Sequence, residues 1–200
     1  MSLHLQSISF ARGDRQAFWK VIEGLETLEM GHISIFGLDK KLQPDVKLFR
    51  MRKLLLIIGT RSDISGIHLT TGCPMLQELE WTEHRGLSIS IYQILQDACW
   101  PHLKRLNMDY SLNDSELAHM LQRVWNDQEI FHLRLATCYL ETEASAALGL
   151  YYNALVEVNL TDCHTVPSTT TLDLLRHCPR LEVLETRSVI AKDIVAGERW

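Results

Sequence analysis

An apolar frame, L-x-x-L-x-L with other apolar residues allowed in each slot, returns along this chain at a nearly constant interval. It stands at Leu25, Leu28 and Met30, at Met51, Leu54 and Leu56, at Leu76, Leu79 and Trp81, and at Leu103, Leu106 and Met108. It continues at Ile130, Leu133 and Leu135, then at Leu155, Val158 and Leu160, and closes at Leu181, Leu184 and Thr186, where the third slot is degraded. The opening residues are 26, 25, 27, 27, 25 and 26 apart, and a chance frame does not keep time in this way. Leu3 and Leu5, 25 residues before Leu28 and Met30, mark an eighth, partial copy.

Residues two apart point to the same side of a strand, so each L-x-L reads as a short strand with one buried face. A period near 25 residues leaves room for a strand, a turn, a helix and a return. One such unit cannot bury its apolar face alone, whereas stacked units share a continuous core. The segments between strands carry helical spacing. Ile91, Ile94, Leu95 and Ala98 fall on one helical face, as do Leu117, Leu121, Val124 and Trp125. Asn113 followed by Glu116 predicts a capped helix start, and Thr170 followed by Asp173 a weaker one. Pro74, Pro101 and Pro179 each lie two residues before the leucine that opens a frame, where proline stops a helix and sets up the return. Cys73, Cys99 and Cys178 end helices beside them, and Cys138 and Cys163 share a second phase, three residues after Leu135 and Leu160.

A frame of this kind with a period of 20 to 29 residues is the leucine-rich-repeat signature, in which Asn or Cys commonly follows the strand. The pattern resembles the cysteine-containing class with about 26 residues and a helix per unit. Segments such as FWKVIEGLETLEM, CPMLQELEW, CWPHLKRLNM, CPRLEVLE and DIVAGERW resemble the repeat region of fungal F-box/leucine-rich-repeat proteins. The resemblance covers essentially the whole chain. It implies an α/β solenoid: a right-handed βα superhelix with a parallel sheet on its concave face and helices on its convex face. On this reading, residues 1–200 form one domain of about seven repeats, with partial repeats at both ends. In that family an F-box docks a cullin ubiquitin ligase and the repeat arc selects the substrate. No segment here is free of the frame and long enough for an F-box, so a cullin-ligase adaptor is an expected partner only if an F-box exists outside this chain. The partial copies at either end read as a fragment or as part of a longer arc.

Other classes fit poorly. A net charge of −5 and a pI near 6.0 argue against a dedicated nucleic-acid binder. The longest apolar run, Leu54 to Ile58, is strand-sized and far short of a membrane span. No signal peptide opens the chain, and five cysteines, an odd count, read as free thiols in a reducing compartment, the cytoplasm or nucleus. His177-Cys178, Cys163-His164 and Cys99 to His102 invite a zinc reading, but structural zinc needs four converging ligands and repeat phase already explains the cysteines. No metal or cofactor is expected. Asp162-Cys163-His164 holds the residue types of a cysteine nucleophile, yet sequence neighbours rarely have the geometry, and a turn thiol is the plainer reading. None of the common phosphate-loop, hydrolase or metalloprotease motifs occurs, and no enzyme is expected. Asn113-Asp-Ser and Asn159-Leu-Thr match the glycosylation triplet without any sign of secretion. Trp19, Trp81, Trp100 and Trp125 sit in core or turn phases, where packing is expected.

Function then falls to the strand residues that alternate with the buried leucines. One column runs Glu29, Leu55, Glu80, Asn107, Arg134, Asn159 and Glu185; the other runs Thr27, Lys53, Glu78, Arg105, His132, Glu157 and Val183. Both mix acid, base and amide, which suits a protein partner and not a phosphate backbone. Leu55 and Ile57 are apolar where this face should be polar. Either that strand is covered on both sides, by the N-terminal segment or another domain, or it presents an exposed apolar anchor. The expected function is protein recognition, as the substrate arc of an F-box-type SCF ligase receptor. The alternative is a scaffold or regulator outside any ligase.

Overall fold

The computed structural model describes residues 1–6, 20–33, 50–58, 73–83, 100–109, 112–124 and 130–187. The expected helix around Ile91 to Ala98, together with Trp19, Cys99, Trp125 and the DIVAGERW segment, lies outside them. The fold is α/β, and the chain forms two compact units, Met1–Leu103 and Lys104–Trp200.

In the first unit, β1 (Ser2–Gln6), β2 (Thr27–Ile33), β3 (Lys53–Ile58) and β4 (Glu78–Glu83) lie side by side in chain order, every neighbouring pair parallel. The register aligns the frame itself: Leu3 pairs with Leu28, Leu28 with Leu54, and Leu54 with Leu79. Leu28, Leu54, Leu56, Leu79 and Trp81 are buried, so the frame's second and third slots form the core. Each such side chain contributes about 1.5–3 kcal/mol by leaving water. The first slots Leu25, Met51 and Leu76 are also buried, but they precede the strands. Every strand from β2 onward opens two residues after its first slot.

The reason lies in the turn. Leu76 N donates to Cys73 O (3.2 Å), Leu103 N to Trp100 O (3.1 Å) and Leu181 N to Cys178 O (3.2 Å), which places Pro74, Pro101 and Pro179 at the second position of a β-turn. Proline's fixed φ suits that position. The same turn closes without proline where Leu25 N donates to Ile22 O (3.0 Å). At each turn's exit, a carbonyl of the preceding repeat binds two N–H groups of the next. Glu26 O accepts from Arg52 N (2.8 Å) and Lys53 N (3.0 Å), and Arg52 O from Gln77 N (2.7 Å) and Glu78 N (2.9 Å).

The second unit repeats this with its helices described. β5 (Arg105–Asp109), β6 (His132–Ala136), β7 (Glu157–Asn159) and β8 (Val183–Glu185) are parallel in chain order, with Leu106, Leu133, Val158 and Leu184 in one row. Lys104 O, Phe131 O and Val156 O make the same forked acceptors. Helix α1 (Asp114–Val124) links β5 to β6, α2 (Thr142–Leu148) with a 3-10 turn at Gly149–Tyr151 links β6 to β7, and α3 (Ser168–His177) links β7 to β8. Parallel strands need such crossovers. α1 buries Leu117, Ala118, Met120 and Leu121 and packs along α2, which buries Ala144, Ala147 and Leu148.

The predicted cap of α1 is present as a reciprocal pair: Glu116 N donates to Asn113 Oδ1 (2.9 Å) and Asn113 N to Glu116 Oε2 (3.1 Å). The predicted start at Thr170 is not. α3 opens at Ser168 after Pro167, and Thr170 is buried inside the helix, its hydroxyl bonded to Ser145 Oγ (2.7 Å). Proline, with no N–H to satisfy, marks that start. Leu181 and Leu184 are only half-buried, since no further strand stacks on β8 among the described residues.

Candidate protein-binding face

The side of each sheet opposite the leucine core carries every candidate residue from the sequence, and none of them is buried. Glu29, Lys53, Leu55, Ile57, Glu78 and Glu80 are half-buried on the first unit's sheet. On the second unit's sheet Asn107, His132, Glu157 and Asn159 are half-buried, while Arg105, Arg134 and Glu185 are exposed. The cause is the strand's two-residue period, which sends Leu54 inward and Leu55 outward.

Register then pairs these side chains across neighbouring strands. In the first unit His4 Nδ1 donates to Glu29 Oε2 (2.8 Å), and Lys53 Nζ lies 3.5 Å from Glu78 Oε2. In the second, His132 Nδ1 donates to Glu157 Oε2 (2.9 Å) and Asn159 Nδ2 donates to Glu185 Oε2. Asp162 carries two arginines, with Arg187 Nη2 donating to Oδ1 (2.9 Å) and Arg134 Nη2 3.8 Å from Oδ2. Pairs this exposed contribute roughly 0–1 kcal/mol each, so their main effect is to fix where charge is presented. Glu80, Arg105 and Asn107 have no side-chain partner among the described residues.

Leu55 sits between Glu29 and Glu80 in register, and Ile57 beside Thr82. β1 lies within the sheet next to β2, so Ser2–Gln6 is not a cover over β3. Asn159 is an engaged amide, since its Oδ1 also accepts from Thr161 N (3.0 Å).

His4, Asp162 and Arg187 belong to this surface and were not among the expected residues. Leu3 and Leu5 put His4 in the same phase as Glu29, which is the signal that locates it. Asp162 and Arg187 follow their strands in turns, where the alternation no longer applies. A second exposed feature lies beyond β6 and β7, where the Tyr139 and His164 rings meet at 4.7 Å and 40°. The turn before it is strained. Thr137 has φ 58°, held by its N–H on Asp162 O (2.9 Å) and its hydroxyl on Asp109 Oδ1 (3.1 Å).

The described cysteines, Cys73, Cys138, Cys163 and Cys178, are buried thiols that form no disulfide among the described residues. Cys163 Sγ donates to Leu135 O (3.3 Å) and Cys138 Sγ to Ala136 O (3.4 Å), so the thiols serve the turn after the strand. Burial pushes the Cys163 thiol up to about 12, with Asp162 adding to it and a backbone hydrogen bond at Cys138 opposing it. Cys73 is likewise pushed up to about 12 by burial. A thiol so held stays protonated and is a poor nucleophile at neutral pH. No three His, Cys, Asp or Glu side chains gather into a metal-sized group among the described residues. No described helix is long and apolar enough to cross a membrane.

No protein-family model matches the chain, and no curated protein matches it.

Proposed function

We propose that this protein is a leucine-rich-repeat solenoid, a right-handed βα superhelix with the sheet concave and the helices convex, whose sheet face recognises another protein. Within that reading it is the substrate-selecting arc of an F-box-type ubiquitin ligase receptor, acting by binding and not by catalysis, in the cytoplasm or nucleus. The observation that carries it is the pairing of acid with base or amide across neighbouring strands, as in Lys53–Glu78 and His132–Glu157. A face with charges of both signs at fixed spacing selects a partner by pattern. The same mixture disfavours a nucleic-acid backbone, which rewards uniform positive charge. The protonated state of Cys163 supports binding over catalysis.

The test is affinity capture of the full-length gene product with mass spectrometry of its partners. Recovery of a cullin and its adaptor with a specific further protein supports the ligase role. Specific partners without cullin leave recognition standing and make the protein a scaffold or regulator. No specific partner overturns the reading.

A further inference from the structure

Strand β3 reads KLLLII, and its outward residues Leu55 and Ile57 remain half-buried while Leu54 and Leu56 are buried behind them. The two outward side chains follow the strand two residues apart, so the patch is a short stripe about 7 Å long. Carboxylates flank its Leu55 end, while Thr82 lies beside Ile57. Glu29 and Glu80 flank Leu55 in register, and Glu78 flanks Lys53 one position earlier on that face. Two of these carboxylates are matched, Glu29 by His4 (2.8 Å) and Glu78 by Lys53 (3.5 Å). Glu80 is not matched by any described side chain.

An aliphatic stripe beside an unmatched carboxylate has a definite complement. Covering Leu55 and Ile57 removes apolar surface from water, and the same event lowers the dielectric around Glu80. A cation delivered there gains; an acidic group meets the unmatched Glu80 as a like charge, which costs binding. We infer that this face of the first unit docks an extended basic segment of a partner protein. The segment seats an aliphatic or aromatic side chain on Leu55 and Ile57 and a lysine or arginine on Glu80. The inference rests on the reading of this face as a protein-recognition surface and names the class of segment recognised.

Fluorescence anisotropy on the full chain tests it with three labelled ten-residue peptides. One has a Leu-x-Leu centre with lysines on both sides. The second keeps that centre with glutamates instead, and the third keeps the lysines around a Ser-x-Ser centre. The lysine–leucine peptide is expected to bind at least about tenfold more tightly than either of the others. Glu80→Lys and Leu55→Ser should each weaken it by about tenfold with unchanged circular dichroism, and Gln122→Ala, exposed on helix α1 and outside the binding face, should not. No binding of the lysine–leucine peptide, equal binding of either other peptide, or undiminished binding by Glu80→Lys overturns the inference. Partners captured by the wild-type protein and equally by both variants overturn it while leaving protein recognition intact; absence of any captured partner removes the broader reading.

Discussion

The Asp114 carboxylate accepts the backbone N–H of Ala144 at 3.0 Å, across 30 residues of chain. It also accepts from Glu141 N (2.7 Å) and Glu143 N (2.9 Å), so one side chain on α1 satisfies the opening N–H groups of α2. Asn113 and Glu116 close the start of α1 themselves, which frees Asp114 for its neighbour. The N-cap residue of α2, Glu141, makes no side-chain cap of its own. Asp114→Ala should therefore lower stability by about 1–2 kcal/mol, and Asp114→Asn by less, since one acceptor oxygen remains. Urea denaturation reads this as a lower midpoint at unchanged slope. An unaltered midpoint in Asp114→Ala would show that this cap does not support α2.

Leu106 and Asn107 are consecutive, yet Leu106 is fully buried and Asn107 half-buried with no side-chain partner among the described residues. Leu106→Ala should cost about 2–5 kcal/mol through lost burial and a residual cavity. Asn107→Ala should stay within about 0.5 kcal/mol. Thermal or urea melts of the pair check the facing of β5 directly. Similar losses in both would mean the strand is covered on its outer side.

The strands were legible because one signal, a buried leucine every second residue inside a fixed period, marks both their presence and their facing. Even Leu3 and Leu5, with no preceding copy to support them, lie in register with Leu28 and Met30. The candidate face followed from the same alternation. Its pairings did not, because His4–Glu29 and His132–Glu157 depend on strand register and not on local sequence. Helix α2 left little trace: TEASAAL has one large apolar residue, its apolar period is weak, and its cap is supplied from Asp114 27 to 30 residues earlier. Thr170 looked like a cap because threonine before an acid three residues on is a capping pattern. Here the packing of α3 buries it, and Pro167 sets the start instead.

Tyr151, fully buried at the end of the 3-10 turn, donates its hydroxyl to Leu121 O on α1. Burial also raises its phenol pKa, so the proton that makes this bond stays in place across neutral pH. Tyr151→Phe keeps the ring and leaves Leu121's carbonyl short of one partner. A loss of about 0.5–1.5 kcal/mol is expected, against about 3–5 kcal/mol for Tyr151→Ala, which also empties the site. If Phe destabilises as much as Ala, the hydroxyl is not the smaller part of this contact and the packing account fails.

Buried thiols make stability depend on alkaline pH with a definite sign. Burial raises Cys73 and Cys163 from 9.0 to about 12 each, and Cys178 to about 11. Below pH 9 the thiols are protonated in both folded and unfolded chains and contribute no pH dependence. Above it the unfolded chain releases protons that the folded chain keeps, so unfolding is favoured increasingly up to about pH 12. The slope is at most about 1.4 kcal/mol per pH unit for each thiol. Lysines and tyrosines titrate in the same window, so the informative comparison is between variants. Cys73→Ala and Cys163→Ala should each start less stable at pH 8 yet lose less between pH 9 and 11 than wild type, measured by urea midpoints. The same thiols should resist iodoacetamide at pH 8 in the folded protein and react once it is unfolded. Parallel pH slopes in wild type and both variants, or rapid labelling of Cys163 in the folded chain, would place these sulfurs in water and return Asp162-Cys163-His164 to consideration as a reactive group.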